Sequence, residues 1–380
     1  MISAAYLRSA IPSAIARARA LIEITQDSAT LELRDLQRVC TENLNDAVFR
    51  LAEAQRLIEQ RPDQAQVIGR TYQAMVQKVD NAECLGAFAL KNQSLEDIQL
   101  NRLLHRMCAE IGFPLIPPTV SHTSQRYFEI SPQFNLLRVP LIEGRFFLQL
   151  ADLYHELCHP LVSPTGITNP RLDPLSETFL NLKIKRGREL DEARIRGERR
   201  RAGPEHAHRY ALWRKCWIET WMEEFVCDAF GAYCGGPAYG WTHYHLCFRT
   251  NQEILSVPTV VPSSHPNDHA RMLVILNVLK LRGFDPEATA IERAWSEFFR
   301  LEDRGLPDFY ELCYPRACLE HIASSASTAF EKCGVKGLPT DQQPIIGRTL
   351  QDAWATFWSP NQDYESWEMG ARESLLEAIA

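Results

Sequence analysis

No stretch of this chain approaches the roughly 18 uninterrupted apolar residues that a bilayer-crossing helix needs. The first 24 residues are broken by Arg8, Pro12, Arg17 and Arg19, so they lack the continuous apolar core of a signal peptide. No membrane anchor is expected. Basic charge is not in excess either: 41 Lys and Arg stand against 48 Asp and Glu, a net charge of −7. That balance is poorly suited to gripping phosphate backbones, so nucleic acid is not expected as a partner. CxxC pairs are missing, which leaves an all-cysteine zinc cluster unsupported. The eleven scattered cysteines read as small buried hydrophobes in a reducing, cytoplasmic compartment. There is no internal repeat. With 45% hydrophobic and 23% charged residues over 380 positions, the composition is that of an ordinary folded protein of about two to three domains.

Up to about Ile111, apolar residues recur three and four apart, as in Leu31, Leu33 and Leu36, then Leu44, Val48, Leu51 and Ala54. This predicts an N-terminal helical bundle over residues 1–111, with breaks at Asn43, Arg61-Pro62-Asp63 and Asn81. The prolines of Gly112 to Pro118 mark a domain edge. Tyr127 to Ile130 and Phe134 to Val139 are β-prone and predict strands of a small sheet. The charged run Lys183 to Arg201 reads as a solvated helix or insertion. Trp213 to Tyr233 is helical again, with turns at Gly235-Gly236-Pro237, Gly283 and Gly337. The expected fold class is mainly α (α+β), with a second region at 112–285 and a C-terminal helical region at 286–380 packing on it.

The string that carries chemistry is His155-Glu156-Leu157-Cys158-His159, an HExxH pattern at the end of a helical segment. Two histidines four apart on a helix lie about 40° from each other around the axis, so both imidazoles can meet one metal ion. Glu156 lies about 100° from His155, where its carboxylate reaches water at the ion rather than the ion itself, the position of a general base. Neutral imidazoles favour zinc. A third ligand is expected within Trp213 to Asp228. At about 100° per residue, Trp213, Trp217 and Trp221 share one helix face, and Glu224 and Asp228 fall on that same apolar side. A carboxylate there requires a metal or an imidazole partner. Glu224 is therefore the expected ligand, and Asp228, one turn on, is placed to accept the N–H of a ligating histidine. Glu219 and Glu223 fall on another face and read as solvated charges. Tyr239, His243 and His245 are candidates to contact the substrate or its developing oxyanion.

HExxH followed by Glu224-Phe225-Val226-Cys227-Asp228 resembles the gluzincin metallopeptidases, in the EFxAD form of the HtpX and CAAX-prenyl-protease group. His265-Pro266-Asn267-Asp268-His269-Ala270-Arg271 is similar to the HPxxxxR string found further along in that group. The likeness spans residues 155–271, with departures: no membrane spans, Cys227 in place of the usual Ala, and Pro160 directly after the second histidine, where it should end or kink the helix. The resemblance implies a zincin-like metallopeptidase domain over 112–285 and a zinc-dependent endopeptidase acting on protein or peptide. It also implies that His265 lies near the zinc, as a catalytic or inhibitory group, and that Arg271 supports the site from within. The strand around Phe134 to Val139 would then be either the edge that aligns an extended peptide or an ordinary structural strand. The rival expectation is a helical scaffold or sensor whose zinc is structural, or shut off by a fourth protein ligand such as His265. The N-terminal helices are the expected place for a regulatory partner.

Overall fold

Leucine, isoleucine and alanine at alternating three- and four-residue spacing zip together the first two helices, α1 (Ala4–Gln26) and α2 (Arg34–Gln60). Leu7, Ile11, Ile15, Ala18 and Leu21 are buried from one side, and Leu36, Cys40, Leu44, Ala47, Leu51, Ala54 and Ile58 from the other. The computed structural model describes residues 4–26, 30–124, 127–141, 146–163, 169–200, 203–250, 253–301 and 305–379. The protein is mainly helical, with one three-stranded sheet among the described residues. No described helix is long and apolar enough to cross a membrane. The chain divides into two units, Met1–Leu104 with Pro117–Leu141 and His105–Ile116 with Ile142–Ala380.

In the first unit the break expected at Arg61-Pro62-Asp63 is present: α2 ends at Gln60 and a 3-10 turn spans Pro62–Gln64. The other two expected breaks are not chain breaks. Asn43 lies inside α2, where its Nδ2 donates to Val39 O at 2.9 Å, so the amide serves the helix instead of capping it. After α3 (Ala65–Asn81) the helix continues through a π-turn at Ala82–Ala87 into α4 (Phe88–Lys91). Then comes α5 (Leu95–Ile111), whose last residues belong to the second unit.

The sheet consists of β1 (Thr119–Ser124), β2 (Glu129–Ser131) and β3 (Leu136–Pro140) in the order β1-β3-β2, with β3 parallel to β1 and antiparallel to β2. Val120 and Ile130 both pair with Leu137. Strand β1, which falls just past the prolines, is not anticipated by the sequence. Its residues are mostly small and polar, and side chains of α5 hold it: Asn101 donates to Val120 O at 2.7 Å and accepts from Val120 N at 2.8 Å, and Asp97 accepts from His122 N at 2.8 Å. The sheet is expected in the 112–285 region but belongs to the first unit, because Phe134 and Leu136 bury against Leu36, Cys40 and Leu44. The boundary expected at 285 is also absent from the division, which keeps 142–380 together.

The second unit is built from α6 (Phe147–Leu150), α7 (Asp152–Val162), α8 (Asp173–Arg199), α9 (Pro204–Cys216), α10 (Met222–Gly235), α11 (Pro237–Thr250), α12 (Asp268–Leu281) and α13 (Asp285–Phe299), and then helices that include Arg316–Lys332, Ile345–Phe357 and Tyr364–Ile379. Helices α7 and α10 pack on each other and lie at its centre. Every residue of α7 is buried except His159, and every residue of α10 except Glu223. A helix buried all round is normally apolar all round. These two carry Asp152, His155, Glu156, Glu224 and Asp228. The charged run expected to be solvated forms the C-terminal half of α8, but Arg186 is buried, donating to Leu312 O and Cys313 O and resting on the Trp217 ring.

Candidate metal centre

Helix α7 carries both histidines of the HExxH string, and Pro160 lies within it rather than at its end. Proline lacks the N–H that would bond back to Glu156 O, and the helix runs only two residues further, with Ser163 N donating to His159 O at 2.9 Å. The imidazole centroids are 5.1 Å apart.

The opposing carboxylates come from one long helical stretch. Between α9 and α10 a π-turn at Trp217–Trp221 inserts extra residue length into the helix, and the indoles of Trp213, Trp217 and Trp221 anchor it. Their N–H groups donate to Pro258 O, Cys313 O and Ser263 O at 2.9–3.0 Å, so the same tryptophans also fix the segment leading to His265. The π-turn overturns one expectation. At a uniform 100° per residue Glu223 points to solvent, but the wider turn shifts the phase of the residues beyond it. Glu223 is half-buried, and its Oε1 accepts from His159 Nδ1 at 2.9 Å and from Ser163 Oγ at 3.0 Å.

His155 has the matching arrangement. Its Nδ1 lies 3.1 Å from Asp228 Oδ1, as expected for Asp228. Asp228 is fully buried and further held by Tyr239 Oη at 2.7 Å and by Arg271, whose Nε and Nη2 donate at 2.8 and 2.7 Å. Arg271 reaches it because Asn267 caps α12, accepting from Ala270 N at 2.8 Å, which sets the arginine one turn into the helix. Burial opposes the charge of Asp228, yet Arg271 and His155 outweigh it and hold its pKa well below the usual carboxylate value.

With each Nδ1 committed to a carboxylate, each Nε2 is left for another partner. His155 Nε2 lies 3.5 Å from Glu224 Oε2, close to the roughly 3.4 Å that a nitrogen and an oxygen keep when both bind one tetrahedral zinc ion. Burial works against the Glu224 charge, but the bond to His155 and the charges of His155, Arg271 and His159 bring its pKa down to about 2. The donor atoms of His155, His159 and Cys227 lie within 4.8 Å of one another, which adds a thiol that the sequence alone presents only as a replaced alanine. Glu156 is buried, and burial pushes its pKa up to about 7 against the pull of His159 and His155. The group close enough to share one ion is thus His155, His159 and Cys227, with Glu224 beside it on the His155 side; imidazole, thiol and carboxylate are donors that zinc accepts.

The remaining candidates are more dispersed. His265 is mostly exposed, its Nε2 is 3.8 Å from Glu224 Oε1, and its Nδ1 meets Ser264 Oγ at 2.9 Å. It thus stands at the edge of the centre. Tyr239, expected at the oxyanion, instead touches the Nδ1 side of His155 at 3.1 Å, where it orients the ring. His243 is buried, its Nε2 3.2 Å from Asp268 O and its ring stacked on Trp295. His245 packs against Trp354 and Phe357. Strand β3, expected to be either a peptide-aligning edge or an ordinary structural strand, is the central strand of its sheet, paired with β1 on one side and β2 on the other, so it is not an edge. Glu223 is the residue of this cluster that the sequence pattern does not reveal, since nothing in it announces the π-turn; for Cys227, the signal is its departure from the alanine of the resembling string. No family model, curated protein or solved structure matches this chain.

Proposed function

We propose that the protein is a zinc-dependent hydrolase of peptide bonds, with His155, His159 and Glu224 as the residues that would hold the ion. The reading rests on one observation above all. Both imidazoles of the HExxH string have Nδ1 on a carboxylate, Asp228 for one and Glu223 for the other, and His155 presents Nε2 to Glu224. Carboxylate–histidine pairs of this kind fix the tautomer a metal requires. The gluzincin resemblance of the three sequence strings supports the same reading, and with it protein or peptide as the substrate.

A bound zinc ion would polarise the scissile carbonyl and make water acidic enough to attack near neutral pH. The chain supplies the proton traffic. Burial raises the pKa of Glu156 to about 7 before any ion is bound, and its carboxylate is the group that can take a proton from the attacking water and return it to the leaving amine. Glu223 with Ser163 steadies His159, and Asp228 with Arg271 and Tyr239 steadies His155. His265 is near enough to the centre to meet charge developing on the substrate.

The test is Glu156→Gln in the zinc-loaded chain, with N-terminal sequencing of fragments from a cell lysate. Zinc content should stay and fragment release should fall by roughly 100-fold or more; a variant that cleaves like the parent refutes the assignment. A second reading, a structural or self-closed zinc site, is favoured by Cys227, which stands with the two imidazoles and could fill the position that water needs. Cys227→Ala separates the two: zinc retained with turnover supports the hydrolase, and zinc lost supports the closed site.

A further inference from the structure

A second group of donor atoms lies apart from the HExxH ligands. His243 and Cys247 are four residues apart on α11, on one face and both buried, and Asp268 opens α12 opposite them. The donor atoms of the three lie within 4.8 Å of one another. His243 Nε2 is 3.7 Å from Cys247 Sγ and 3.2 Å from the main-chain oxygen of Asp268. Ligands of a single tetrahedral zinc ion keep nitrogen and sulfur about 3.6 Å apart and nitrogen and oxygen about 3.4 Å apart. The nitrogen–sulfur separation already matches, and the Asp268 carboxylate, within 4.8 Å of both, is the group that would have to close in as His243 releases the Asp268 main-chain oxygen.

We propose that His243, Cys247 and Asp268 form a second zinc site, with three protein ligands, that clips α11 to α12. Imidazole, thiolate and carboxylate are the mixed nitrogen, sulfur and oxygen donors that zinc accepts, whereas magnesium and calcium favour oxygen alone. Charge agrees as well. One thiolate and one carboxylate cancel the two charges of a divalent ion, so the loaded site is neutral, which the largely buried Arg271 guanidinium three residues beyond Asp268 can tolerate. His243 is held flat against Trp295, with ring centroids 5.9 Å apart, so its orientation is set before any ion arrives. Asp268, only partly buried, gives the ion a way in.

Metal counting on the full-length chain tests this site independently of the HExxH centre. The double variant His155→Ala/His159→Ala should still take up one equivalent of Co2+, with a thiolate-to-cobalt charge-transfer absorption. Adding Cys247→Ala should abolish that band, and adding Cys227→Ala should leave it. Failure of the double variant to bind Co2+ while it remains folded by circular dichroism, or a band that survives Cys247→Ala, overturns the proposal. Because that double variant removes two buried rings, Cys247→Ala in the otherwise unaltered chain gives a second measurement. Its zinc content should fall by one equivalent per chain; an unchanged ratio overturns the second site and leaves the HExxH reading untouched.

Discussion

The interiors of the two units are built on opposite terms. Between α1 and α2 the buried positions are apolar almost without exception, Leu7, Ile11, Leu44 and Leu51 among them. Between α7 and α10 they include Asp152, His155, Glu156, Glu224 and Asp228. An apolar seam stabilises through the surface it takes out of water. Buried charge is a different matter, because desolvation can exceed the Coulomb gain even when every group is partnered. The first interior is explained by folding alone. The second gives up stability to keep imidazoles and carboxylates at fixed distances, a pattern that clusters at binding and catalytic sites.

The strongest way to break this comparison is to remove one charge from the second interior. Asp228→Asn leaves the largely buried Arg271 guanidinium without its two carboxylate bonds, so stability should fall by about 3–5 kcal/mol. Zinc affinity should fall with it, since His155 loses its orienting partner. Denaturant titration and elemental analysis on the same sample would read both. The apolar counterpart is Leu44→Ala in α2, whose side chain is fully buried. A cost of about 2–5 kcal/mol is expected from lost burial and the cavity left behind, with zinc content unchanged. If Leu44→Ala lowers zinc content as Asp228→Asn does, the assignment of the metal to the second interior alone fails.

The same contrast separates the legible residues from the illegible ones. The two histidines are legible in the sequence because the helical period places residues four apart on one face, and the structure keeps both on α7. Arg271 is legible only through the resemblance of its string, and the contact of Asp228 with His155 is met although the π-turn interrupts the period that predicts it. Glu223 is not legible, since its direction depends on a π-turn that no residue pattern near Trp217 announces. Strand β1 escapes for a related reason. Thr119 to Ser124 has one strongly apolar residue, and a pair of α5 side chains far away in sequence, Asn101 and Asp97, holds it in place. Asn43 misleads in the other direction, because an amide that often ends helices here bonds back within α2. Local periodicity is readable, and contacts that depend on distant partners are not.

A pH experiment sharpens the comparison at a smaller scale. Burial and the charge of Arg316 lower the pKa of His269 from 6.5 to about 4, and its Nδ1 accepts the Trp295 N–H at 3.0 Å, which requires that nitrogen to be unprotonated. The fold favours the neutral ring. Its contribution is therefore complete above pH 6.5 and is lost as pH falls towards 4, by up to about 3 kcal/mol. His269→Gln, which keeps an acceptor but has no titrating group, should flatten this part of the stability profile measured by denaturant titration. If parent and variant lose stability in parallel between pH 6.5 and 4, another group is responsible.

The finest test concerns the residue that only the structure reveals. Glu223 and His159 are the two residues of α7 and α10 that are not fully buried, and they are bonded to each other, so this pair forms the solvent-facing edge of an otherwise enclosed centre. Glu223→Gln keeps the shape and an oxygen that can still accept from His159 Nδ1, but removes the negative charge that strengthens the ring as a donor to metal. Zinc affinity should fall by about 10–100-fold, and global stability should hardly change because the site is partly open to water. A competing chelator series would measure the first effect and a denaturant titration the second. Were affinity unaltered, Glu223 would be the solvated charge that the regular helical period places there, and the π-turn would have no part in shaping the centre.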